Sequence, residues 1–506
     1  MNSPMFVRAR RSLILLAIAA QVVSSSAAFG QIPLSEYAAR RAAMVQGLPS
    51  GVVVALGSPA PEHDYSWFYQ NSRFSYLTGF GEPEAALLMV VKDGAIVGRP
   101  IFFVQPKDPA REVWEGNRLG VDSARVIYGF DARPETTMNA VIDSLFASGA
   151  PKVLHVVGDY NPTRSIKTRD DQLVATIVSR NPGVTAQSAN ARVNAGRRIK
   201  SAAEQDYLRK AIAITVDAHR EAMRATEPGM NEFELQGLIE YTFRRNGAER
   251  PGFVSIVGSG PNSTTLHYGA DDRFIENGDV IVMDIGAAYR GYSADVTRTI
   301  PANGRFSPAQ REIYQAVRDA QVAAERAAVV NGPAMALTEA SNASLRASLV
   351  RLGLIESAAA TFDCDSTASR QCSQLSLYYM HGLGHPIGLD VHDAGSATGS
   401  GNLVPGSAYT IEPGIYVRGS LLSIIANTPR NRQMIARIRP AVEKYRNIGV
   451  RIEDDYIVTP SGIDWVSRAP REITEIEALM REPWRGPAPR DPTKVEWYRS
   501  TGRRVP

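Results

Sequence analysis

Two aspartates and the turn between them are the first feature of this chain that predicts chemistry. Asp284 lies near the end of an apolar, strand-like run, and Asp295 follows eleven residues later inside a second such run, residues 293–300. A tight hairpin centred on residues 289–290 would place the two carboxylates directly opposite each other, where like charges destabilise a sheet. Two divalent cations ~3.5–4 Å apart would bind both carboxylates and make the pair a site. The alternative is two solvated aspartates on an exposed hairpin.

Three of the seven histidines of the chain fall within twelve positions, at His381, His385 and His392. The first two have the spacing of a helical zinc motif, but the glycines and the proline among them disfavour a helix, and no glutamate follows His381. We therefore predict a glycine-shaped loop or strand that carries the imidazoles inward. The alternative is that each is an ordinary hydrogen-bonded core histidine.

Two further carboxylates complete a candidate ligand set. Glu412 ends an apolar strand before a Pro-Gly turn, and Glu453 shares one face of an alternating strand with Arg451. Four carboxylates balance the charge of two divalent cations, as a buried site requires. A set rich in oxygen, with one nitrogen and no sulfur, favours Mn²⁺, with Zn²⁺ or Co²⁺ as further candidates. The five predicted metal ligands are Asp284, Asp295, His385, Glu412 and Glu453.

These stretches together resemble the pita-bread metallopeptidases, the family of creatinase, prolidase and aminopeptidase P. The N-terminal half adds Tyr-Leu-Thr-Gly-Phe at 76–80 and Glu-Pro-Glu-Ala at 82–85, which are typical of the creatinase-like domain of that family. The resemblance spans essentially the whole chain after its first thirty residues. It implies an α/β N-terminal creatinase-like domain plus an α+β pita-bread catalytic domain.

The resemblance also implies a role for each ligand. Asp284 would hold one metal ion, Asp295 and Glu453 would bridge both ions, and His385 and Glu412 would hold the other. A hydroxide between the two ions would then attack the scissile carbonyl.

Four further residues match catalytic positions of the family. His267 matches a histidine near the substrate, while His381 and His392 match histidines that contact substrate or carry protons to the leaving proline nitrogen. Imidazole suits that task because its pKa lies near working pH. Arg451 would hold a bridging carboxylate or a substrate group through its planar guanidinium.

The activity implied is release of the N-terminal residue from peptides with proline in the second position. Within the family the alternative is an Xaa-Pro dipeptidase, and outside enzymes it is a pita-bread fold kept as a peptide-binding module. Two departures bear on this choice. Arg73 stands where the family usually has an aspartate, and the interval from Glu412 to Glu453 is 41 residues, close to prolidase-like lengths. We expect the extra residues, about 420–445, to form a loop or helix beside the site.

Composition excludes several other classes of protein. The chain has 506 residues with 56 Lys+Arg against 52 Asp+Glu, 44% hydrophobic residues and two cysteines. This balance is too even for a polybasic nucleic-acid binder, too apolar for a disordered chain and too poor in cysteine for a disulfide scaffold. We expect a peptide substrate, no nucleic-acid partner and, by family analogy, a homodimer or homotetramer.

The first thirty residues have the pattern of a secretory signal peptide. Three arginines precede an apolar run at 13–20 that ends in small residues, with cleavage expected after Ala28 or Gly30. The run is shorter than the ~20 residues of a membrane span. We therefore expect a periplasmic or secreted protein with no stable membrane anchor. In such a protein Cys364 and Cys372 are compatible with one short-loop disulfide or with two unpaired thiols.

Strand and helix signals divide the remaining chain once. Strands alternate with helices such as 135–147 up to about residue 180, and a Pro/Gly/Asn/Ser-containing stretch, 181–194, is expected to be the linker. Beyond it, Ser201 and Asn231 each precede a glutamate by three residues, which predicts two capped helices. The predicted segments are a signal peptide at 1–30, a creatinase-like domain at 31–190, a catalytic domain at 196–480 and a C-terminal tail at 481–506.

Overall fold

The computed structural model describes residues 32–63, 66–395 and 401–487. The predicted signal peptide and most of the predicted C-terminal tail lie outside these residues. Within the described ranges, no helix combines the length and the apolar character that crossing a bilayer requires.

The N-terminal part is a six-stranded mixed sheet with helices on both faces. The strand order is β4-β3-β2-β1-β5-β6, and β1, β2 and β3 are antiparallel while β4, β5 and β6 join in parallel. Side chains of β1 alternate between two apolar clusters, with Val53 and Ala55 in one and Val52 and Val54 in the other. Burial on both faces explains why the strand is continuously apolar.

The elements of this part are the strands β1 (Gly51–Leu56), β2 (Ala86–Lys92), β3 (Ala95–Val104), β4 (Asp131–Pro134), β5 (Val153–Val157) and β6 (Thr185–Ser188), and the helices α1 (Leu34–Val45), α2 (Ser72–Thr78), α3 (Pro109–Glu115), α4 (Gly120–Tyr128), α5 (Met138–Ala147), α6 (Arg169–Arg180) and α7 (Asn190–Arg197).

The predicted linker at 181–194 is wrong. Its residues form β6, which pairs in parallel with β5 at the edge of the sheet, and the first half of α7. The Pro-Gly pair at 182–183 makes a turn into the strand, so turn-forming residues marked a connection inside the sheet rather than a boundary between parts.

The C-terminal part packs helices around several small antiparallel sheets. Its elements are the helices α8 (Ala202–Ala225), α9 (Glu232–Arg245), α10 (Pro308–Ala327), α11 (Met335–Arg351), α12 (Leu421–Ile424), α13 (Pro429–Lys444) and α14 (Ile473–Met480), and the strands β7 (Arg250–Pro251), β8 (Ile256–Ser259), β9 (Val280–Ile285), β10 (Ala287–Tyr289), β11 (Tyr292–Ser293), β12 (Val296–Pro301), β13 (Thr361–Asp363), β14 (Gln371–Ser373), β15 (Ala408–Ile411), β16 (Gly414–Val417), β17 (Ile448–Arg451), β18 (Asp454–Thr459) and β19 (Gly462–Trp465).

Two capping boxes fix the starts of the first two helices of this part, as predicted. The Ser201 hydroxyl accepts a hydrogen bond from the backbone N–H of Glu204, whose carboxylate accepts one in return from the Ser201 backbone. Asn231 and Glu234 make the same reciprocal pair before α9. Each box satisfies two backbone donors that a helix start leaves unpaired. One large apolar core joins these helices to β9 and α10.

The predicted centre of the aspartate hairpin is wrong by one residue. Tyr289 pairs with Tyr292, so the turn is Arg290-Gly291, and both residues have the positive φ angles that a type I′ turn requires. In this register Asp284 pairs with Thr297, two positions beyond Asp295 along the chain. The two aspartates therefore approach diagonally across the sheet instead of directly opposite each other.

The alternating strand predicted to carry Arg451 and Glu453 is interrupted between β17 and β18. At Ile452 the backbone N–H donates to the Pro413 carbonyl, and at Glu453 it donates to the Thr297 carbonyl. The chain thereby changes partner from β16 to β15, and Glu453 lies at the change. Glu412 lies at the matching break between β15 and β16.

The sequence left two alternatives open for the cysteine pair and two for the segment at about 420–445, and the structure has one of each. Cys364 and Cys372 form a disulfide across the hairpin of β13 and β14, with 5.7 Å between their Cα atoms. Of the two forms expected for about 420–445, a loop or a helix, the structure has helices, α12 and α13, and their position beside the site stays a prediction. The hairpin and α13 pack together, because the Thr428 hydroxyl donates to the Asp363 carboxylate and Asn431 bonds the backbone of the same aspartate.

Candidate metal centre

The five predicted ligands converge although they come from five separate stretches of chain. One ligand atom each from Asp284, Asp295 and Glu453 lies within 4.8 Å of the others, and the same holds for His385, Glu412 and Glu453. Glu453 belongs to both groups, so the two groups share an edge. Two adjoining groups of this kind fit two metal ions held by a common carboxylate.

The His385 ring is oriented for coordination. Its Nδ1 lies 3.1 Å from the carbonyl oxygen of Pro386, so a proton on Nδ1 leaves Nε2 with a free lone pair. Nε2 lies 3.3 Å from Asp295 Oδ2, 3.6 Å from Glu412 Oε1 and 3.8 Å from Glu453 Oε1. Ligand atoms that share one ion at ~2.0–2.2 Å have separations of this order. Burial, with the nearby His392, lowers the pKa of His385 to about 4, which keeps the ring neutral as a ligand must be.

The carboxylates show why this arrangement needs cations. Burial and the neighbouring carboxylates raise the pKa of Asp295 and Glu453 well above their ordinary values, and burial raises that of Glu412 to about 8. Three oxygens, Asp284 Oδ1, Asp295 Oδ1 and Glu453 Oε1, are buried and accept no hydrogen bond from the described residues. Buried oxygens without donors cost free energy unless something else binds them. The donor set therefore fits divalent metal ions.

Arg451 contributes a positive charge beside the cluster. Its Nη2 lies 2.5 Å from Asp284 Oδ2, and its Nε donates to the Thr297 hydroxyl, which in turn donates to Glu453 Oε2 at 2.7 Å. Arg451 thus fixes one carboxylate directly and a second through Thr297. Of the two carboxylates predicted to bridge the ions, Arg451 therefore reaches Glu453 only through Thr297, and its direct partner is Asp284, which is predicted to hold a single ion.

A hydrogen-bonded chain links Arg451 to His381. Arg451 Nη1 donates to the Tyr416 hydroxyl at 2.9 Å, and this hydroxyl lies 2.8 Å from His381 Nε2. His381 Nδ1 faces the Gly382 carbonyl at 2.8 Å and lies 3.5 Å from Glu412. Burial and the positive charge of Arg451 lower the pKa of His381 to about 4, so its ring is neutral.

The remaining two predicted catalytic histidines lie at the exposed rim. The His392 ring is 4.0 Å from the His385 ring, centre to centre, and offers a nitrogen within 4.8 Å of ligand atoms of Asp295 and His385. His267 is exposed and follows Leu266, whose carbonyl accepts a hydrogen bond from Arg451. His267 is also close enough to His381 to influence its pKa. All nine predicted site residues therefore surround one centre.

Sequence reasoning assigned no role to three residues that support this centre. Tyr416 and Thr297 connect Arg451 to His381 and Glu453, and the carboxylate of Asp455 accepts the backbone N–H of Asp295 at 3.1 Å. Thr297 and Asp455 lie in stretches that the sequence predicted to be strands near ligands, whereas Tyr416 follows the predicted Pro-Gly turn after Glu412. Their side chains face the site only because of the register, which the sequence alone did not give.

Comparison with known proteins identifies the family. A family model described as metallopeptidase family M24 matches residues 206–460, and one described as the aminopeptidase P N-terminal domain matches residues 37–155. The first covers half of the chain and contains every predicted ligand. The chain belongs to metallopeptidase family M24. It is a metal-dependent exopeptidase of this family, and the predicted family is confirmed.

Individual M24 proteins match over nearly their whole length. An Xaa-Pro aminopeptidase of Escherichia coli (strain K12) is 34% identical over 464 residues, which are 89% of this chain and 98% of that protein. An Xaa-Pro dipeptidase of Homo sapiens is 29% identical over 484 residues, 89% of this chain and 94% of that protein. The structure of an aminopeptidase from Pseudomonas aeruginosa, 33% identical, superposes with a TM-score of 0.73 over 89% of this chain and 98% of that one. The predicted fold class is confirmed.

Proposed function

We propose that this M24 enzyme releases the N-terminal residue from peptides that have proline in the second position. The observation that carries the proposal is the convergence of four carboxylates and one neutral imidazole, in a chain that spans 98% of an Xaa-Pro aminopeptidase. His392, which offers a nitrogen within 4.8 Å of ligand atoms of Asp295 and His385, is exposed. A peptide terminus can therefore reach the centre from that side.

In this proposal the five predicted ligands divide between two ions as the family resemblance implies. Asp284 would hold one ion, His385 and Glu412 would hold the other, and Asp295 and Glu453 would hold both. When bound, two divalent ions polarise the scissile carbonyl and activate water as the nucleophile. Mn²⁺ is the proposed metal, because oxygen donors outnumber nitrogen by four residues to one and no sulfur is present.

The side chains around the ligands then hold the ligands in place, contact the substrate and transfer protons. Arg451 holds the Asp284 carboxylate in place. His381 and His392 lie on either side of His385 in the chain and are the proposed carriers of a proton to the proline nitrogen of the departing peptide. His267 is proposed to contact the substrate from the exposed rim.

A second candidate within the family is an Xaa-Pro dipeptidase. The specific observation in its favour is the inserted pair α12 and α13, which together with the disulfide hairpin adds a packed layer at the far end of β16 and β17. The 41-residue interval from Glu412 to Glu453 that contains these helices is close to prolidase-like lengths. The human dipeptidase aligned above is also similar along the whole chain.

One experiment separates these activities. The mature protein is chelated, Mn²⁺, Co²⁺ or Zn²⁺ is restored in turn, and Ala-Pro-Ala and Ala-Pro are followed by mass spectrometry. Release of Ala from the tripeptide supports the aminopeptidase, and cleavage of the dipeptide alone supports the dipeptidase. If metal-loaded protein cleaves neither, both proposals are wrong.

We also propose that the protein is exported, with the signal peptide at 1–30 removed. The cysteine pair supports this, since disulfides persist mainly in oxidising compartments. Cell fractionation with N-terminal sequencing tests it: a mature N-terminus near residue 29 or 31 in the periplasm or medium is expected, and an intact cytoplasmic chain would contradict it. The domain bounds 31–190 and 196–480, and the homo-oligomer, stay predictions.

A further inference from the structure

The segment 388–393, which carries His392, lies where the two parts of the chain meet. Leu389 packs against the large core of the C-terminal part and also against an apolar cluster of the N-terminal sheet. The Gly388 carbonyl accepts the backbone N–H of Ser293, which lies two residues before the ligand Asp295. This short segment therefore contacts the metal centre on one side and the N-terminal part on the other.

Asp390 closes a ring of hydrogen bonds across this junction. Its Oδ2 accepts from the Ser72 hydroxyl at 2.8 Å and from Arg197 Nη2 at 2.6 Å. Arg197 Nη1 donates to the same Ser72 hydroxyl at 3.1 Å, so the three side chains form a closed ring of hydrogen bonds. The three residues come from α2, from the last position of α7 and from the histidine segment, so the ring ties the N-terminal part to the segment that carries His392.

Asp393 provides a second attachment on the other side of His392. One of its oxygens pairs with Arg197 and accepts the backbone N–H of Ala394, and the other lies 2.9 Å from Lys200 Nζ. The side chains of Arg197, Lys200 and Asp393 are all at least 98% buried. A Cβ atom at Gly388 would lie 1.9 Å from Asp393 Oδ2, so only glycine leaves room for this arrangement.

The charges of this group are balanced, with two cations facing two carboxylates. A buried ion pair gains little net stability, because removing charges from water offsets most of their attraction. What such a group does provide is a fixed geometry, since planar guanidinium donors accept few arrangements of their partners. We call Ser72, Arg197, Lys200, Asp390 and Asp393 the interdomain clamp.

We propose that the interdomain clamp is a positioning device for His392, holding its imidazole against His385 at the exposed rim of the metal centre. His392 lies between the two clamped aspartates, and its own side chain is exposed, so its direction is set by the backbone on either side. The catalytic consequence rests on the proposed function, in which His392 carries a proton. Misplacement of a catalytic group by about 1 Å can cost up to about a hundredfold in rate.

A double-mutant cycle tests the proposal with Asp390→Asn and His392→Ala. Asp390 is the safest clamp residue to change, because half of its side chain is exposed. We expect Asp390→Asn alone to lower kcat on Ala-Pro-Ala about tenfold with little change in KM. In the His392→Ala background the same change should lower kcat less than about twofold. Equal losses in both backgrounds would show that the clamp does not act through His392.

A spectroscopic readout tests the geometry without any turnover. Zinc-loaded protein with ¹³C-labelled histidine rings gives a His392 signal that is assigned by its loss in His392→Ala. Asp390→Asn and Ser72→Ala should shift or broaden this signal and leave that of His155, buried in the N-terminal sheet, unchanged. An unmoved His392 signal overturns the proposal. If wild-type protein cleaves no Xaa-Pro substrate, the proposed function fails while the spectrum still decides the clamp.

Arg209→Gln is the matched control. Arg209 also lies near the start of the C-terminal part and pairs with a carboxylate, Asp464, at 2.7 Å, but both side chains are about one third exposed and the pair is remote from the histidine segment. This change should leave kcat and the His392 signal at wild-type values. Metal content and melting temperature, measured for every variant, separate loss of positioning from loss of metal or fold.

Discussion

Glu453 and Asp454 are adjacent in the chain and both fully buried, yet their surroundings are opposite. Asp454 accepts hydrogen bonds on both oxygens, from Arg298 at 2.6 Å and Ser467 at 2.7 Å on one and from Arg471 at 2.8 Å and Gln321 at 2.9 Å on the other. Glu453 accepts one from Thr297 and has a second oxygen that the described residues do not satisfy. The pKa of Asp454 is accordingly held below its usual value by Arg298 and Arg471 despite its burial, while that of Glu453 is raised by burial and by its carboxylate neighbours.

This contrast separates a structural carboxylate from a ligand. The protein supplies every partner that Asp454 needs, so nothing further has to bind there. The carboxylates of the metal centre exceed the donors around them, and among the described residues only Arg451 adds a positive charge in direct contact with one of them. Buried charge that the protein itself does not compensate is the physical mark of a site for an ion.

The most damaging change on the metal side of this contrast is Glu453→Gln. Loss of one carboxylate charge should release metal from the centre and lower activity at least about 10⁴-fold, because both water activation and carbonyl polarisation depend on the ions. The metal-free variant should melt no lower than metal-free wild-type protein, since one repelling charge is gone. Metal content by mass spectrometry and a thermal melt measure the two effects. Full activity with bound metal would show that the ligand assignment is wrong.

The neighbouring change, Asp454→Asn, should lower the stability of the protein and leave metal binding intact. It leaves the fully buried guanidinium of Arg298 without its counter-charge, which typically costs about 3 kcal/mol in the free energy of unfolding. The Asp454→Asn protein that folds should still bind metal and retain most of its activity. Urea denaturation measures the loss of stability. The control is Asp464→Asn, which breaks the partly exposed ion pair with Arg209 and should change stability by less than about 1 kcal/mol. A stable but metal-free Asp454→Asn protein would contradict the contrast.

Tyr416→Phe tests the hydrogen bonds that hold Arg451 and His381, and it should have a smaller effect than the two changes above. The hydroxyl accepts from Arg451 and faces His381, so its loss leaves two buried groups without a partner. We expect kcat to fall about tenfold while metal content stays the same. Tyr378→Phe is the matched control, because its buried hydroxyl donates to the Leu354 carbonyl and not to a site residue. Equal kcat in the two variants would show that the Tyr416 hydroxyl does not contribute to catalysis.

The candidate ligands, which the structure brings together, could be named from the sequence, whereas the residues that support them could not, for a physical reason. Carboxylates and imidazole at strand ends are costly to bury, so their type and spacing already indicate metal binding, whatever the register. Tyr416, Thr297 and the clamp residue Arg197 have ordinary alternative roles in a fold. Their function depends on partners more than 30 residues away, as with Ser72 and Asp390. The hairpin register was missed because Arg290 occupies a positive-φ turn position that arginine rarely takes.

The smallest predicted effect concerns a carboxylate that is intermediate between the two cases. Asp271 is buried, with one oxygen accepting the Val257 backbone N–H at 3.0 Å and the other accepting nothing from the described residues. Burial, with the nearby Glu232 and Glu240, raises the pKa of Asp271 to about 7. Because the folded protein then holds this proton more tightly than the unfolded chain, stability should fall as pH rises from about 4 to about 7.

Asp271→Asn should remove this pH-dependent loss. The amide keeps the acceptor for Val257, carries no charge, and tolerates the positive φ of 47° at this position. We expect the variant to be more stable than wild type at pH 8 and equal to it near pH 4. Melting temperatures across that range measure the difference, with metal content held constant. A constant difference at all pH values would mean that folding does not raise the pKa of Asp271, and that an oxygen without a donor is not enough to distinguish a ligand from a structural carboxylate.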